Sequence, residues 1–172
     1  GTTDEYGVLI AQMLVQAGID VKSLDVAVLG SVVPSLNRMI AEACAIYLHC
    51  RCVVVGQDIF VPIKVEVDRP SEVGTDRLLN ALAGWHRFGR SLIVVDFGTA
   101  TTFDVVSAEG TYLGGAIAPG IELSAEALHR AAAQLPRVSV EVPRAAIGKT
   151  TVEAMRSGVY FGYIGLIDEM VR

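Results

Sequence analysis

The chain has 172 residues, of which 52% are hydrophobic and 19% are charged, so it can bury a sizeable core and is not disordered. Its net charge is -5 with scattered Lys and Arg, which argues against a dedicated nucleic-acid surface. No apolar run reaches the roughly 20 residues that a membrane-spanning helix needs. We therefore expect a globular protein in which any anionic ligand is met by backbone groups and single basic residues.

The three cysteines indicate the redox environment. Cys44, Cys50 and Cys52 are an odd number at irregular spacing, which favours buried free thiols over a disulfide framework. A zinc site would need two close pairs or added histidines, and only His49 lies near. The polar start "GTTDE" has no secretory signal pattern. These features predict a cytoplasmic protein.

The first half of the chain alternates helices with strands. Thr2 and Glu5 have the spacing of a capping box, which predicts a helix that ends near Gly18. The stretches "DVAVLGSVV" and "RCVVVG" predict buried strands, and Pro34 opens a helix between them. We predict that "IFVPIKVEVD" is an edge strand, because Pro62 cannot donate to a ladder. A third helix follows the loop "RPSEVGTDR".

The second half begins with strands and ends with helices. "SLIVVDFG", "TATTFDVVS" and "TYLGGAIAPG" predict three successive antiparallel strands. A helix is predicted over about 122–133, then a Pro-bounded segment, and a last helix that Thr150 and Glu153 begin with a second capping box. The pattern predicts an α/β fold with mixed sheets and a domain junction near Gly89, which divides the chain into 1–89 and 90–172.

The stretch "VDFGTATTFDVV" places polar groups at the end of a buried strand. Asp96 ends the strand, and Gly98 with the following threonines forms the turn. A glycine turn with exposed N–H groups and hydroxyls suits phosphate oxygens, and a carboxylate there would act through a cation or water. The alternative is a β-turn whose Asp and Thr side chains satisfy their own backbone.

The stretch "GTDR" precedes the third helix. Thr75 is predicted as the N-cap, which puts Asp76 and Arg77 in the first turn. Aspartate is favoured at that positive end of the helix dipole, whereas arginine is better placed at the other end. Arg77 could therefore grip a carboxylate with its forked guanidinium; the alternative is a solvated Arg whose stem packs on a neighbour.

Three glycines, Gly158, Gly162 and Gly165, share one face of the last helix. Each costs roughly 1 kcal/mol relative to alanine in a helix interior. The preferred explanation is a close contact with another helix or subunit, and the alternative is a frayed or kinked helix.

Four motifs in this order, "PSEVGTDRLLNALAG", "VDFGTATTFDVV", "YLGGAIAPG" and "IGKTTVEAMRSGVYFGYIG", together resemble the type III pantothenate kinases over essentially the whole chain. The resemblance implies the ribonuclease H-like fold of the acetate and sugar kinase/Hsp70/actin superfamily, with two similar halves. It also implies an enzyme that phosphorylates pantothenate to 4'-phosphopantothenate with ATP, the first step of coenzyme A biosynthesis. A homodimer with its active site near the subunit interface is implied too, without nucleic acid or membrane as partners.

The resemblance also implies roles for residues that bind the acceptor substrate. Asp76 matches the catalytic base, and Gly74, Thr75 and Arg77 match pantothenate-binding positions, with Arg77 on the substrate carboxylate. Thr151 matches a threonine that contacts pantothenate across the subunit interface.

For the nucleotide, Asp96 matches the residue that binds a monovalent cation, K⁺ or NH₄⁺. Thr99 matches an ATP contact, and Gly98 beside it would present a donor to the nucleotide. A divalent cation, Mg²⁺, would accompany ATP. Asp76 and Asp96 are then expected to face a common cleft.

The sequence departs from the family pattern at Val67, near where many relatives have an aromatic residue, and more seriously in a missing motif. Family members begin with a strand that carries an Asp-x-Gly-Asn-Thr phosphate loop, and this motif does not occur among the 172 residues. The chain is therefore expected to be an internal portion of such a kinase, incomplete at both ends. The alternative hypothesis is a non-catalytic binding or regulatory relative, or an inert fragment of the same fold.

Overall fold

The computed structural model describes residues 1–31, 33–132 and 134–172. They form two compact units: Gly1–Lys64 with Asp68–Arg87, and Val65–Val67 with Phe88–Arg172. The helices are α1 Thr3–Gln16, α2 Pro34–Ala43, α3 Thr75–Phe88, α4 Ile121–Ala131 and α5 Thr151–Met170, and the strands are β1 Val26–Leu29, β2 Arg51–Val54, β3 Lys64–Val65, β4 Leu92–Phe97, β5 Ala100–Val106 and β6 Thr111–Pro119. The predicted mixed α/β fold is confirmed. In the described part of the chain, no helix has the length and hydropathy of a membrane span.

The first unit contains a two-stranded parallel sheet. β1 pairs with β2, so that Val26 lies opposite Arg51. Below the sheet is a small core of Cys44, Leu48 and Cys50, against which residues of α1 and α2 pack. The predicted free thiols are confirmed, with Cys44 and Cys50 buried. The first predicted capping box is also confirmed, because the Thr2 and Glu5 side chains each bond the other's backbone N–H.

The predicted edge strand is wrong over most of its length. Only Lys64–Val65 is a strand, and the stretch around Pro62 is irregular because Ile63 N–H donates locally to the Val61 carbonyl at 2.8 Å. Pro62 has no N–H to donate to the ladder, and the N–H of the next residue is used in the local turn. Pairing continues past the strand, where Glu66 N–H donates to the Tyr112 carbonyl of β6 at 2.9 Å.

The second unit is built on an antiparallel sheet. The predicted three-stranded meander is confirmed, and the strand order is β3-β6-β5-β4. Asp96 of β4 lies opposite Thr102 of β5, and two residues along the ladder Val94 lies opposite Asp104. One face of the meander packs on α5, where the Tyr163 hydroxyl bonds Thr101. The predicted end of α4 at position 133 lies outside the described residues.

The last helix begins as predicted. Thr150 is the N-cap of α5, and its side chain and that of Glu153 complete a capping box. For the glycine stripe, the predicted close contact was with another helix or a subunit, and the structure bears only on the first. A methyl group added at Gly158, Gly162 or Gly165 would meet nothing within 4 Å, so that face of α5 is open along the stripe. No other helix of the described chain packs closely on these glycines.

Candidate functional site

The start of α3 presents one exposed acid and one half-buried base. Asp76 is exposed and Arg77 is half-buried. The Asp76 carboxylate accepts a hydrogen bond from the Arg77 backbone N–H at 2.9 Å, which fixes the acid against the first turn of the helix. Thr75 is the first helical residue instead of the predicted N-cap. Gly74 takes the position before the helix, because its carbonyl accepts from Leu78 N–H at 3.3 Å.

Gly56, in the turn after β2, supports the start of α3. It has a φ of +89°, and a Cβ there would lie 2.6 Å from Thr75 Oγ1. The turn therefore packs directly on the Thr75 side chain, and only glycine combines this backbone conformation with that approach. No local sequence pattern marks Gly56, since its role depends on a contact between distant parts of the chain.

The turn between β4 and β5 is the second candidate segment. Asp96, Gly98 and Thr99 are all exposed there. Gly98 N–H donates to the Ala100 carbonyl at 3.0 Å, and the Thr99 carbonyl accepts from Gly120 N–H at 2.9 Å. These two backbone hydrogen bonds hold the turn without using the Thr99 hydroxyl.

Gly120 holds this turn in place from the start of α4. It is the N-cap of α4, and no side chain caps that helix end. A Cβ at Gly120 would lie 2.6 Å from the Thr99 carbonyl oxygen. Glycine is therefore required for the close approach. The approach brings the Gly98–Thr99 turn beside the N-terminal end of a helix, where the dipole favours negative charge.

Three polar side chains lie in a row on one face of the sheet, from the exposed Asp96 to the interior. Asp96 and Thr102 are cross-strand neighbours, and Asp104 follows two residues after Thr102, so the three share a face. Asp104 is 0% exposed. It accepts hydrogen bonds from Thr102 Oγ1 at 3.0 Å and from the Tyr112 hydroxyl at 2.8 Å. Asp104 was not predicted as functional, although an acid inside a strand pattern was a visible signal.

The start of α5 lies beside a cavity in the second unit. Thr151 is the first residue of the helix and is exposed. The cavity has a volume of about 560 Å³ and includes Arg144, Lys149 and Arg156 in its lining. Arg156 also pairs with Glu141 at 3.3 Å. The cavity wall therefore combines basic and acidic groups next to the predicted substrate-contacting threonine.

Among the described residues, the classical protein ligands of metal ions are not clustered. Within residues 1–31, 33–132 and 134–172, no three His, Cys, Asp or Glu side chains are clustered to hold a metal ion. A cation at Asp96 would therefore need hydroxyl, carbonyl, water or nucleotide oxygens, which are the ligands that hard cations prefer.

The predicted residues fall into two groups. Gly74, Thr75, Asp76 and Arg77 form one continuous segment of the first unit, whereas Asp96, Gly98, Thr99 and Thr151 belong to the second. Within the second unit, the strand end and its turn are contiguous, and Thr151 lies on a separate element.

The fold and these segments define an α/β protein with polar groups displayed at a helix start and at a strand end. The sequence profile of the type III pantothenate kinases matches residues 1–172. The chain is 49% identical over 170 residues to a type III pantothenate kinase of Acidiphilium cryptum, covering 99% of this chain and 64% of that protein. For the type III pantothenate kinase of Rhodospirillum rubrum the identity is 49% over 172 residues, covering 99% and 67%. The chain belongs to the type III pantothenate kinase family.

The relatives are longer than this chain, and one solved structure is weakly similar to it. The chain spans about two thirds of the length of these relatives, between 64% and 67%. A solved structure from Campylobacter jejuni, described as a Baf family transcriptional activator, is 22% identical with a TM-score of 0.48 and covers 70% of this chain and 63% of that one. That structural similarity is too low to support a conclusion about fold or function.

Proposed function

We propose that the full-length protein transfers the γ-phosphoryl group of ATP to the primary hydroxyl of pantothenate, as the first step of coenzyme A biosynthesis. Relatives between 46% and 49% identical, which carry the name type III pantothenate kinase, support this activity. The structural observation that carries the proposal is the exposed Asp76 carboxylate, fixed beside Arg77 in the first turn of α3. The names of these relatives do not favour the alternative of a non-catalytic relative.

In this proposal, the start of α3 binds and activates the acceptor. Asp76 orients the pantothenate hydroxyl and accepts its proton late in the transfer, since phosphoryl transfer depends on positioning and charge neutralisation more than on a strong base. Arg77 binds the pantothenate carboxylate, for which a forked guanidinium is well suited. Gly74 and Thr75 supply close backbone and hydroxyl contacts to the same substrate.

The turn after β4 serves the nucleotide. Gly98 and Thr99 contact ATP, and the neighbouring N-terminal end of α4 favours phosphate charge. Asp96 holds a monovalent cation, K⁺ or NH₄⁺, which offsets phosphate repulsion, while Mg²⁺ accompanies the nucleotide. The oxygen-rich, exposed strand end is chemically suited to such a cation.

The finer assignments of fold and assembly belong to the same proposal. We assign 1–89 and 90–172 to parts of two ribonuclease H-like domains. The enzyme is proposed to be a cytoplasmic homodimer, in which Thr151 contacts the pantothenate bound by the partner subunit. The open face of α5 supports this assembly: besides the glycines, it exposes Phe161 and Ile164 at 43% and 40%. Small residues beside exposed apolar ones allow a second helix to pack closely.

The proposal is tested by mixing two impaired variants of the full-length protein, at a pantothenate concentration well below the raised KM of the second. Asp76→Asn is expected to abolish formation of phosphopantothenate while pantothenate still binds, and Thr151→Val is expected to raise the KM for pantothenate. If the site is shared, mixed dimers contain one complete site each, and random reassociation restores about a quarter of the wild-type activity. Mass spectrometry of the product and isothermal titration with pantothenate provide the two readouts.

The outcomes separate the parts of the proposal. Wild-type protein that is folded and makes no phosphopantothenate with ATP, Mg²⁺ and K⁺ rules out the activity. Retained turnover in Asp76→Asn removes that residue from its role. Absence of recovery in the mixture, with subunit exchange verified, means that Thr151 does not act across an interface.

A further inference from the structure

Asp104 is a buried acid that the proposed reaction does not use directly. It is 0% exposed in the central strand of the antiparallel meander, where its neighbours Phe103 and Val106 are apolar core residues. A valine would suit the strand, and a buried carboxylate is costly unless hydrogen bonds compensate it. Departures of this kind from local sequence preference are expected at functional sites. The groups that Asp104 holds therefore indicate what it is for.

Asp104 fixes the direction of the Thr102 hydroxyl. Thr102 Oγ1 donates its hydrogen to Asp104 Oδ2 at 3.0 Å, while the other carboxylate oxygen accepts from Tyr112. A hydroxyl has one hydrogen and two lone pairs. With its hydrogen committed to Asp104, the Thr102 oxygen can offer only lone pairs to another group. It can therefore ligate a cation, and it cannot donate to a phosphate oxygen.

Thr102 stands directly across the ladder from Asp96. The two residues are paired in register, so their side chains leave the same face of the sheet. Directly opposed Cβ atoms in an antiparallel pair lie about 4.5–5.5 Å apart. The Asp96 carboxylate and the Thr102 hydroxyl oxygen can thus reach one ion between them.

We propose that Thr102 is a second protein ligand of the cation at Asp96, and that Asp104 is the positioning residue that keeps the Thr102 hydroxyl in its ligating orientation. This inference rests on the proposed function, which assigns the monovalent cation to Asp96. The protein then supplies one negative charge and one neutral oxygen, and ATP and water complete the coordination. Asp104 acts on the ion through Thr102.

The experiment measures cation affinity without turnover. The melting temperature of the full-length protein is followed against KCl, with tetramethylammonium chloride keeping the ionic strength constant, in the presence of Mg²⁺ and a non-hydrolysable ATP analogue. A ligand that binds only the folded state stabilises it by RT ln(1 + [L]/Kd), so fitting the rise of the melting temperature with KCl to this relation gives the half-saturating K⁺ concentration. The half-saturating K⁺ concentration is compared between the wild type and the variants.

Thr102→Val is expected to raise the half-saturating K⁺ concentration ~10-fold, and Asp104→Asn by a similar factor, as for residues that support metal ligands. Thr102→Ser keeps the hydroxyl and is expected to stay within about threefold of the wild type. Thr101→Val is the matched control: it removes the neighbouring hydroxyl on the opposite face, which bonds Tyr163, and leaves the K⁺ response unchanged.

Each remaining outcome identifies what fails. If Asp96→Asn abolishes the K⁺ response and Thr102→Val does not change it, the inference is overturned and the cation role of Asp96 stands. If Thr101→Val weakens the response as much as Thr102→Val, the effect is general destabilisation and the inference is overturned. If K⁺ has no specific effect on the wild type, the cation role of Asp96 fails and the inference fails with it.

Discussion

The start of α3 and the turn after β4 display an exposed acid each, but they are held by different means. Asp76 is fixed mainly by its own helix, since its carboxylate accepts from the backbone of the next residue. Asp96 lies in β4, and its cross-strand neighbour Thr102 donates a hydrogen bond to the buried Asp104. The proposed acceptor site is thus built largely from local sequence, whereas the proposed nucleotide site depends on three strands and a helix.

Each of the two segments nevertheless depends on a glycine that is distant in the sequence. Gly120 approaches the Gly98–Thr99 turn, and Gly56 approaches Thr75. In each case a second loop packs against the segment so closely that a side chain would not fit. Substituting these two glycines should therefore break one site at a time.

The largest effect is expected for Gly120→Ala. Its Cβ would meet the rigid backbone of Gly98 and Thr99, with the Thr99 oxygen only 2.6 Å away. We expect a loss of about 2–3 kcal/mol in the free energy of unfolding, as for overpacked sites, and weaker binding of an ATP analogue. Urea unfolding and isothermal titration measure the two quantities.

Gly98→Ala is the matched control in the same turn. The nearest atom to its Cβ would be the Ala100 carbonyl oxygen at 3.5 Å, an ordinary contact. Its cost in unfolding free energy should stay under about 1 kcal/mol. Equal losses for both variants would show that the close approach of Gly120 is not what holds the turn.

A smaller effect is expected for Gly56→Ala, at the other site. The variant combines a φ of +89° with a contact of 2.6 Å to Thr75 Oγ1. A loss of about 2 kcal/mol is expected, together with a raised KM for pantothenate and an unchanged affinity for the ATP analogue.

Gly18→Ala separates backbone strain from contact. Gly18 has a φ of +74°, and its added Cβ would meet nothing within 4 Å. It should lose only about 1 kcal/mol, from the left-handed conformation, and keep the wild-type KM. A raised KM in Gly18→Ala would indicate that any destabilisation of the first unit disturbs the acceptor site.

The smallest effect concerns the core of the first unit and appears only at high pH. Burial, reinforced by the neighbouring thiol of Cys52, raises the pKa of Cys44 from 9.0 to about 11. The unfolded thiol ionises first as the pH rises, so the stabilisation is fully present below pH 9 and is lost as the pH approaches 11.

We therefore expect Cys44→Ala to lose less stability than the wild type between these pH values, by about 1 kcal/mol at about pH 10. Parallel urea unfolding of both proteins from neutral to alkaline pH measures the difference and cancels the titration of other groups. Identical pH profiles would contradict the raised pKa.

The features that the sequence predicted are local ones. Each capping box needs only two residues three positions apart, and both are present as predicted, at Thr2 and at Thr150. The meander followed from alternating apolar runs with short turns between them. The position of the GTDR segment at a helix start was likewise predicted from local sequence, although the helix begins one residue earlier than predicted.

The predictions that failed concern competition between local and distant partners. The apolar, alternating stretch before Lys64 predicted a longer strand, but local bonding around Pro62 removes donors from the ladder. The glycine stripe of α5 predicted a close contact with another helix or subunit; within the described chain its face is open, so the contact with a subunit stays a prediction. Sequence periodicity identifies a face of a helix, but not what covers it.

The sequence alone determined the family, the order of the helices and strands, and the residue types displayed at each turn, because these depend on neighbours within a few positions. The tertiary structure decided that Gly56 packs on the start of α3 and that Gly120 packs on the turn after β4. It also decided that Asp104 is hydrogen-bonded to the threonine opposite Asp96. These contacts join residues far apart in the chain or on different strands. Their energies depend on distances that no local pattern encodes.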